Sequence, residues 1–123
     1  MSEKEINYDM LASSGYPVQE LKAGATIFKE GDDGDYMFIV RSGEVEIKRE
    51  GKVVATVGPK GMFGEMALID GSPRSADASA KSDCELVAVN ERGFIFLVTE
   101  TPYFAINVMR TLADRLRAMN TFI

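Results

Sequence analysis

The sequence predicts a mainly β domain, a small antiparallel roll or barrel with helices at both ends. Three observations carry that expectation. Between residues 18 and 90, short β-type runs recur with turn signals between them, the spacing of a sandwich or barrel. Nine of the eleven glycines fall between residues 24 and 71, mostly at the joints of those runs, where tight or left-handed backbone needs them. After Asn90 the apolar positions change from alternation to the helical period.

Taken in order, residues 1–15 are polar with scattered apolar positions (Ile6, Met10, Leu11) and close on Ser14-Gly15, which predicts a short N-terminal helix. The strand runs are residues 18–21, 26–29, 36–41, 44–50, 52–57, 62–63, 76–80 and 84–90. EVEIKRE, Gly51 and KVVATV read as a hairpin of polar and apolar alternation. Residues 91–99 form one short helix, Thr101-Pro102 interrupts it, and residues 103–121 carry a second. In that second helix Ala105, Met109, Leu112, Leu116, Met119 and Ile123 are spaced 4, 3, 4, 3 and 4, the spacing of a packed seam. The seam fits either the chain's own roll or a second copy in a homodimer. Residues 1–123 thus read as one domain: an N-terminal helix over 1–15, a roll over 18–90, and C-terminal helices over 91–121.

Composition removes several classes of function. The chain has 123 residues, 46% of them apolar, with charge mixed along its length, so a packed core is expected. A net charge of −5 argues against non-specific nucleic-acid binding, which needs a basic surface. With no histidine and one cysteine, Cys84, neither a transition-metal site nor a histidine-based catalytic triad is available. A lone cysteine forms no intrachain disulfide, which fits a reducing, cytoplasmic compartment. The first ten residues lack the pattern of a signal peptide, and no apolar run is long enough to span a membrane. Cys84 and methionines 37, 62, 66 and 109 read as core. Arg110, Arg115 and Arg117 read as a solvated helix face.

Two glycine-bearing segments stand apart. IFKEGDDGDYMFIVRSG, residues 27–43, reads on local physics as a scaffold hairpin. FGEMALIDGSPRSADASA, residues 63–80, reads differently. Gly64 lets the backbone approach a ligand, and residues 65–69 can form one helical turn whose free N–H groups favour phosphate. Arg74 is the only cation between Gly61 and Ala80 and can grip two phosphate oxygens, each charge-assisted bond contributing roughly 1.5–3 kcal/mol. Ser75 adds a hydroxyl, and alanines 67, 76, 78 and 80 keep the walls small. Glu65 is unfavourable beside an anion unless it accepts from a ligand hydroxyl such as a ribose 2′-OH. Anion at one end and hydroxyl at the other describe a nucleotide. The competing reading is a Glu65–Arg74 surface ion pair in a loop.

At these residues the sequence resembles the cyclic nucleotide-binding domain family. FGEMAL, five residues, then RSADASA is similar to the family's phosphate-binding cassette, residues 63–76, and IFKEGDDGDYMFIVRSG to its upstream hairpin. The similarity runs from about Val18 to the final helix. The resemblance implies an eight-stranded β-roll flanked by helices, with the ligand, cAMP or cGMP, between the cassette and the last helix. It implies Arg74 on the cyclic phosphate, Glu65 on the ribose 2′-OH, and Gly64, Met66 and Ala67 lining phosphate or sugar, with Ser75 and Ala76 completing the set. It aligns Ile47 and Val54 beside the base and puts Arg115, Met119 and Asn120 near the purine. No cofactor is implied.

Two departures stand out. Ala78 occupies a position that more often carries a larger aliphatic residue, and Ile123 falls where the family's transcription factors continue into a DNA-reading element. The expectation is therefore a non-catalytic sensor whose partners are the nucleotide and an unidentified protein effector, without nucleic acid or membrane. The alternative is an interaction module that keeps the fold and lacks useful nucleotide affinity. A phosphodiesterase is disfavoured by the absence of a metal cluster and of an activated nucleophile.

Overall fold

A computed structural model describes residues 16–119, with side chains as far as Ala118. The expected N-terminal helix, Asn120 and the last residues of the seam lie outside them. Eight strands follow in order: β1 (Val18–Leu21), β2 (Thr26–Phe28), β3 (Met37–Ser42), β4 (Val45–Arg49), β5 (Lys52–Val57), β6 (Met62–Phe63), β7 (Asp77–Ala80) and β8 (Cys84–Val89). Helix α1 (Glu65–Asp70) interrupts them, and α2 (Glu91–Glu100) and α3 (Tyr103–Met119) follow them. The expected roll is present as two four-stranded antiparallel sheets, in the orders β1-β8-β3-β6 and β2-β7-β4-β5.

The molecule is layered, and the layering explains the apolar runs. In β3 and β8 alternate side chains face opposite sides, and both sides are covered. Phe38, Val40, Cys84, Leu86 and Ala88 point into the space between the sheets, where they meet Val45, Val57, Ala78 and Ala80. Met37, Ile39, Val87 and Val89 point the other way, onto Leu97 of α2 and Phe104 and Val108 of α3. Met37–Val40 is therefore uninterrupted in apolar character because no face of it meets water. Phe104 is 1% exposed, and truncating such a ring to alanine costs about 3–5 kcal/mol.

Local chemistry ends each element. Glu50 (φ 54°) and Gly51 (φ 79°) supply the two left-handed residues of a tight hairpin turn between β4 and β5. Asn90 caps α2, its side chain accepting from the Gly93 N–H at 2.9 Å. The Thr101 N–H closes the same helix on the Leu97 carbonyl at 2.8 Å. Among the described residues no helix is long and apolar enough to cross a membrane.

Three expectations are corrected. The buried stripe of α3 is Phe104, Val108 and half-buried Leu112, offset from the predicted seam, and leaves Met109 and Leu116 more than half exposed. Met66, at 45%, is likewise outside the core, whereas Met37, Met62 and Cys84 lie within it. Ala78 and Ala80 line the space between the sheets rather than a ligand wall.

Candidate functional site

The cassette begins where β6 ends. Gly64 turns the chain in the left-handed region (φ 77°), α1 makes its short run, and Gly71 (φ 72°) closes it with an N–H donated to the Ala67 carbonyl at 2.9 Å. Asp70 then accepts from the Ser72 hydroxyl and, at 2.9 Å, from the Ser72 N–H; these bonds hold its carboxyl below the usual carboxylate range. The returning strand is stitched to the β2–β3 loop through backbone. Gly31 N–H donates to the Arg74 carbonyl and Arg74 N–H to the Asp32 carbonyl, both at 2.8 Å. The two glycine-bearing segments are thus one construction, and residues 27–43 are more than a scaffold hairpin.

Arg74 is 6% exposed, so its guanidinium needs partners where it lies. Its Nη1 donates to the Gly64 carbonyl at 2.9 Å and its Nη2 to the Tyr36 carbonyl at 2.6 Å. Its Cζ sits 4.2 Å from the centroid of the Phe28 ring. Glycine is required on two sides of it. A Cβ at Gly34 would lie 2.5 Å from both Cζ and Nε, and one at Gly64 would lie 2.7 Å from Nη1. Burial pulls the guanidinium below the ordinary arginine value, while Asp35, Asp32 and Glu65 act the other way.

Glu65, the first residue of α1, is fully buried. Its Oε1 accepts from Arg115 Nη1, and Arg115 Nη2 donates to the Met62 carbonyl at 3.0 Å. The pairing of Glu65 with Arg74 considered as a surface ion pair does not form. The carboxylate's partner comes from α3, fifty residues further along the chain. Arg115, expected on a solvated face, is therefore committed to the cassette and keeps only 32% of its side chain exposed. Two buried side-chain atoms lack a partner among the described residues, Glu65 Oε2 and Arg74 Nε.

The remaining sequence-derived candidates divide. Ala67 and Ala76 are buried within the cassette, Ser75 is exposed, and Met66 is 45% exposed. Ile47 is half-buried against the inter-sheet core. Val54 is 55% exposed and is the extra residue of a bulge, since Ile47 pairs with Ala55 and Lys48 with Val53. The two therefore do not continue one alternating face. The Met119 side chain and Asn120 lie outside the described residues. Phe28, Gly34 and Tyr36 were missed by sequence reasoning. Tyr36 contributes a carbonyl, which has no residue-type signature, and Phe28 read as an ordinary strand residue. A cleft of about 510 Å³ between the β2–β3 loop, α1 and the start of α2 carries Asp33, Asp35 and Glu91 and does not reach Glu65 or Arg74.

Comparison with known proteins agrees with this architecture. The sequence model of the family described as "Cyclic nucleotide-binding domain" matches residues 18–101. The Cyclic AMP receptor protein of Thermus thermophilus is 37% identical over 112 residues, covering 87% of this chain and 52% of that protein. The present chain thus spans about half the length of that curated relative. The crystal structure of the Thermus thermophilus Catabolite Activator Protein superposes with a TM-score of 0.77 at 35% identity, over 91% of this chain and 55% of the other. A structure of PKAR CBD2 with Sp-2Cl-cAMPS bound gives 0.78 at 27% identity, over 96% and 80%. A two-sheet roll with its cassette between β6 and β7, matched by the family over most of its length, makes this chain a member of the cyclic nucleotide-binding domain family.

Proposed function

We propose that this chain is a non-catalytic sensor of cAMP or cGMP, and that the cassette holds the nucleotide without turning it over. One observation carries the reading. The two unpartnered buried atoms of the site are a donor, Arg74 Nε, and an acceptor, Glu65 Oε2. A cyclic phosphate supplies an acceptor for the first and a ribose 2′-OH a donor for the second. Arg74 exchanges its backbone carbonyls for phosphate oxygens, with Gly64, Ala67, Ser75 and Ala76 contributing backbone or hydroxyl contacts around it. Met66 contributes main chain to the sugar. Ile47, Val54, Arg115, Met119 and Asn120 are the residues offered to the base. Residues 1–123 act as one domain.

Coupling to the last helix follows from a shared carboxylate. A ligand hydroxyl on Oε2 leaves Oε1 to Arg115, so occupancy tightens α3 against the cassette. Binding moves such an equilibrium only by its differential affinity for the two helix positions. Ile106, Met109 and Leu116 are exposed apolar positions on α3, which suits a protein effector or a second copy of the chain. A second reading is favoured by Arg74 itself: both of its Nη groups already have backbone acceptors, so the roll is self-consistent as an interaction module without nucleotide.

Calorimetric titration with cAMP and cGMP separates the two. Binding is expected, and Arg74→Ala should weaken it about a hundredfold, the loss of about 3 kcal/mol for two charge-assisted bonds. Glu65→Ala should weaken it by a smaller factor. No heat and no thermal shift at millimolar nucleotide would leave the interaction module. Equal binding by Arg74→Ala would overturn the assignment of the phosphate ligand.

A further inference from the structure

Arg74 is a buried cation with no acid in hydrogen-bonding contact among the described residues. Both Nη nitrogens donate to neutral carbonyls, Nε has no partner among the described residues, and Asp35, Asp32 and Glu65 act on it only through space. The group that covers the guanidinium is an aromatic ring. Phe28 lies with its centroid 4.2 Å from Cζ, and Phe38 lies to the side, its centroid at 5.8 Å. A ring face within about 6 Å attracts a cation, and the attraction grows when water is excluded.

Phe28 is held in that position by its surroundings. Its ring centroid lies 6.2 Å from that of Phe38 and 6.0 Å from that of Phe63, and those two rings stack on each other. Across the sheet its register partner is Ala78, whose small side chain leaves room for the ring on the face they share. Its Cε2 also comes within 3.5 Å of where a Cβ of Gly64 would stand. One residue therefore supports both the guanidinium and the turn whose carbonyl receives Nη1.

We infer that Phe28 is a positioning residue for the anion site: its ring is the shelf that keeps the Arg74 guanidinium buried, flat and aimed at the ligand. The role rests on the reading of Arg74 as the phosphate ligand. A guanidinium donates within its own plane, whereas a ring packs on the face of that plane. A phosphate arriving in the plane can replace the Gly64 and Tyr36 carbonyls without displacing the ring. The shelf serves the empty and the occupied site alike. An aliphatic residue of similar bulk fills the space and gives the cation no such face.

The test is a double-mutant cycle on the full chain, read by titration with cAMP and by thermal melting. Phe28→Leu should weaken cAMP binding about tenfold, and Phe28→Tyr, which keeps the ring, should stay within about threefold of the parent. In an Arg74→Ala background Phe28→Leu should add nothing to the loss of affinity, although its effect on melting persists. Equal weakening in both backgrounds means general packing and overturns the role. Binding by the parent chain with an unchanged Phe28→Leu overturns the role alone, whereas no binding by the parent overturns the nucleotide reading together with it. A measurement on the parent needs no variant to fold. The Arg74 Nε–H resonance should lie shifted by the ring current, and remain shifted when cAMP saturates the site. A return to the position of free arginine on binding would overturn the shelf.

Discussion

The two ends of the cassette are both buried and charged, and they are held in opposite ways. Arg74 is held by the roll: by the Gly64 and Tyr36 carbonyls, by Phe28, and by the bare Cα of Gly34, all within residues 28–64. Glu65 is held from outside the roll, by a single arginine of α3. The arginine end is therefore fixed by the strands and their loops. The carboxylate end is shared with α3.

Three substitutions test that division. The largest effect on stability is expected from Arg115→Ala, which strands a buried carboxylate. Breaking such a pair costs about 3–5 kcal/mol, and because Arg115 is partly exposed we expect the lower end, about 3 kcal/mol, read as a melting point lower by about 10 °C. Adding Glu65→Gln should recover most of that loss, since a neutral amide needs no counter-charge. Failure to recover would show that Arg115 acts by packing alone. Gly34→Ala should come next, at about 1–2 kcal/mol, because the new methyl overlaps Arg74 Cζ and Nε. The same variant should weaken cAMP binding about tenfold while leaving the benefit of Arg115 intact. If Gly34→Ala instead cancels the Arg115→Ala effect in a double variant, the two ends are one unit and the division is wrong. The smallest effect, within about 0.5 kcal/mol, is expected for Arg117→Ala. Its partner Asp114 lies at 3.5 Å with both side chains mostly exposed. A melting shift as large as that of Arg115→Ala would mean that α3 is held by charge in general rather than by Glu65.

Much of this architecture was readable before any coordinates. The eight strand runs recur within a residue or two of their predicted ends, because glycines and turn residues bound them on both sides. Glu65 and Arg74 stood out in a glycine-bearing turn, the arginine as an anion ligand and the carboxylate as unfavourable beside that anion. What was not readable is who holds them. Arg115 looked like one of three surface cations, and nothing in local spacing distinguishes the one that meets a buried carboxylate. The helical period found that residues 103–121 are helical but not which stripe is buried: Phe104 and Val108 face the roll with Leu112, while Met109 and Leu116 do not. Such assignments depend on how the helix is rotated against β3 and β8, which is a long-range property. Phe28 illustrates the same gap, since the ring it offers to Arg74 is also a reasonable strand residue.

The position of β8 between β1 and β3 has a consequence for how the chain is made. Neither core can close until residue 89 has been synthesised, because β8 contributes to both. All the groups that hold Arg74 precede that point, whereas Glu65 waits for residue 115 of α3 before its charge is compensated. As the chain emerges from N- to C-terminus, the groups around Arg74 are therefore all made before the arginine that compensates Glu65.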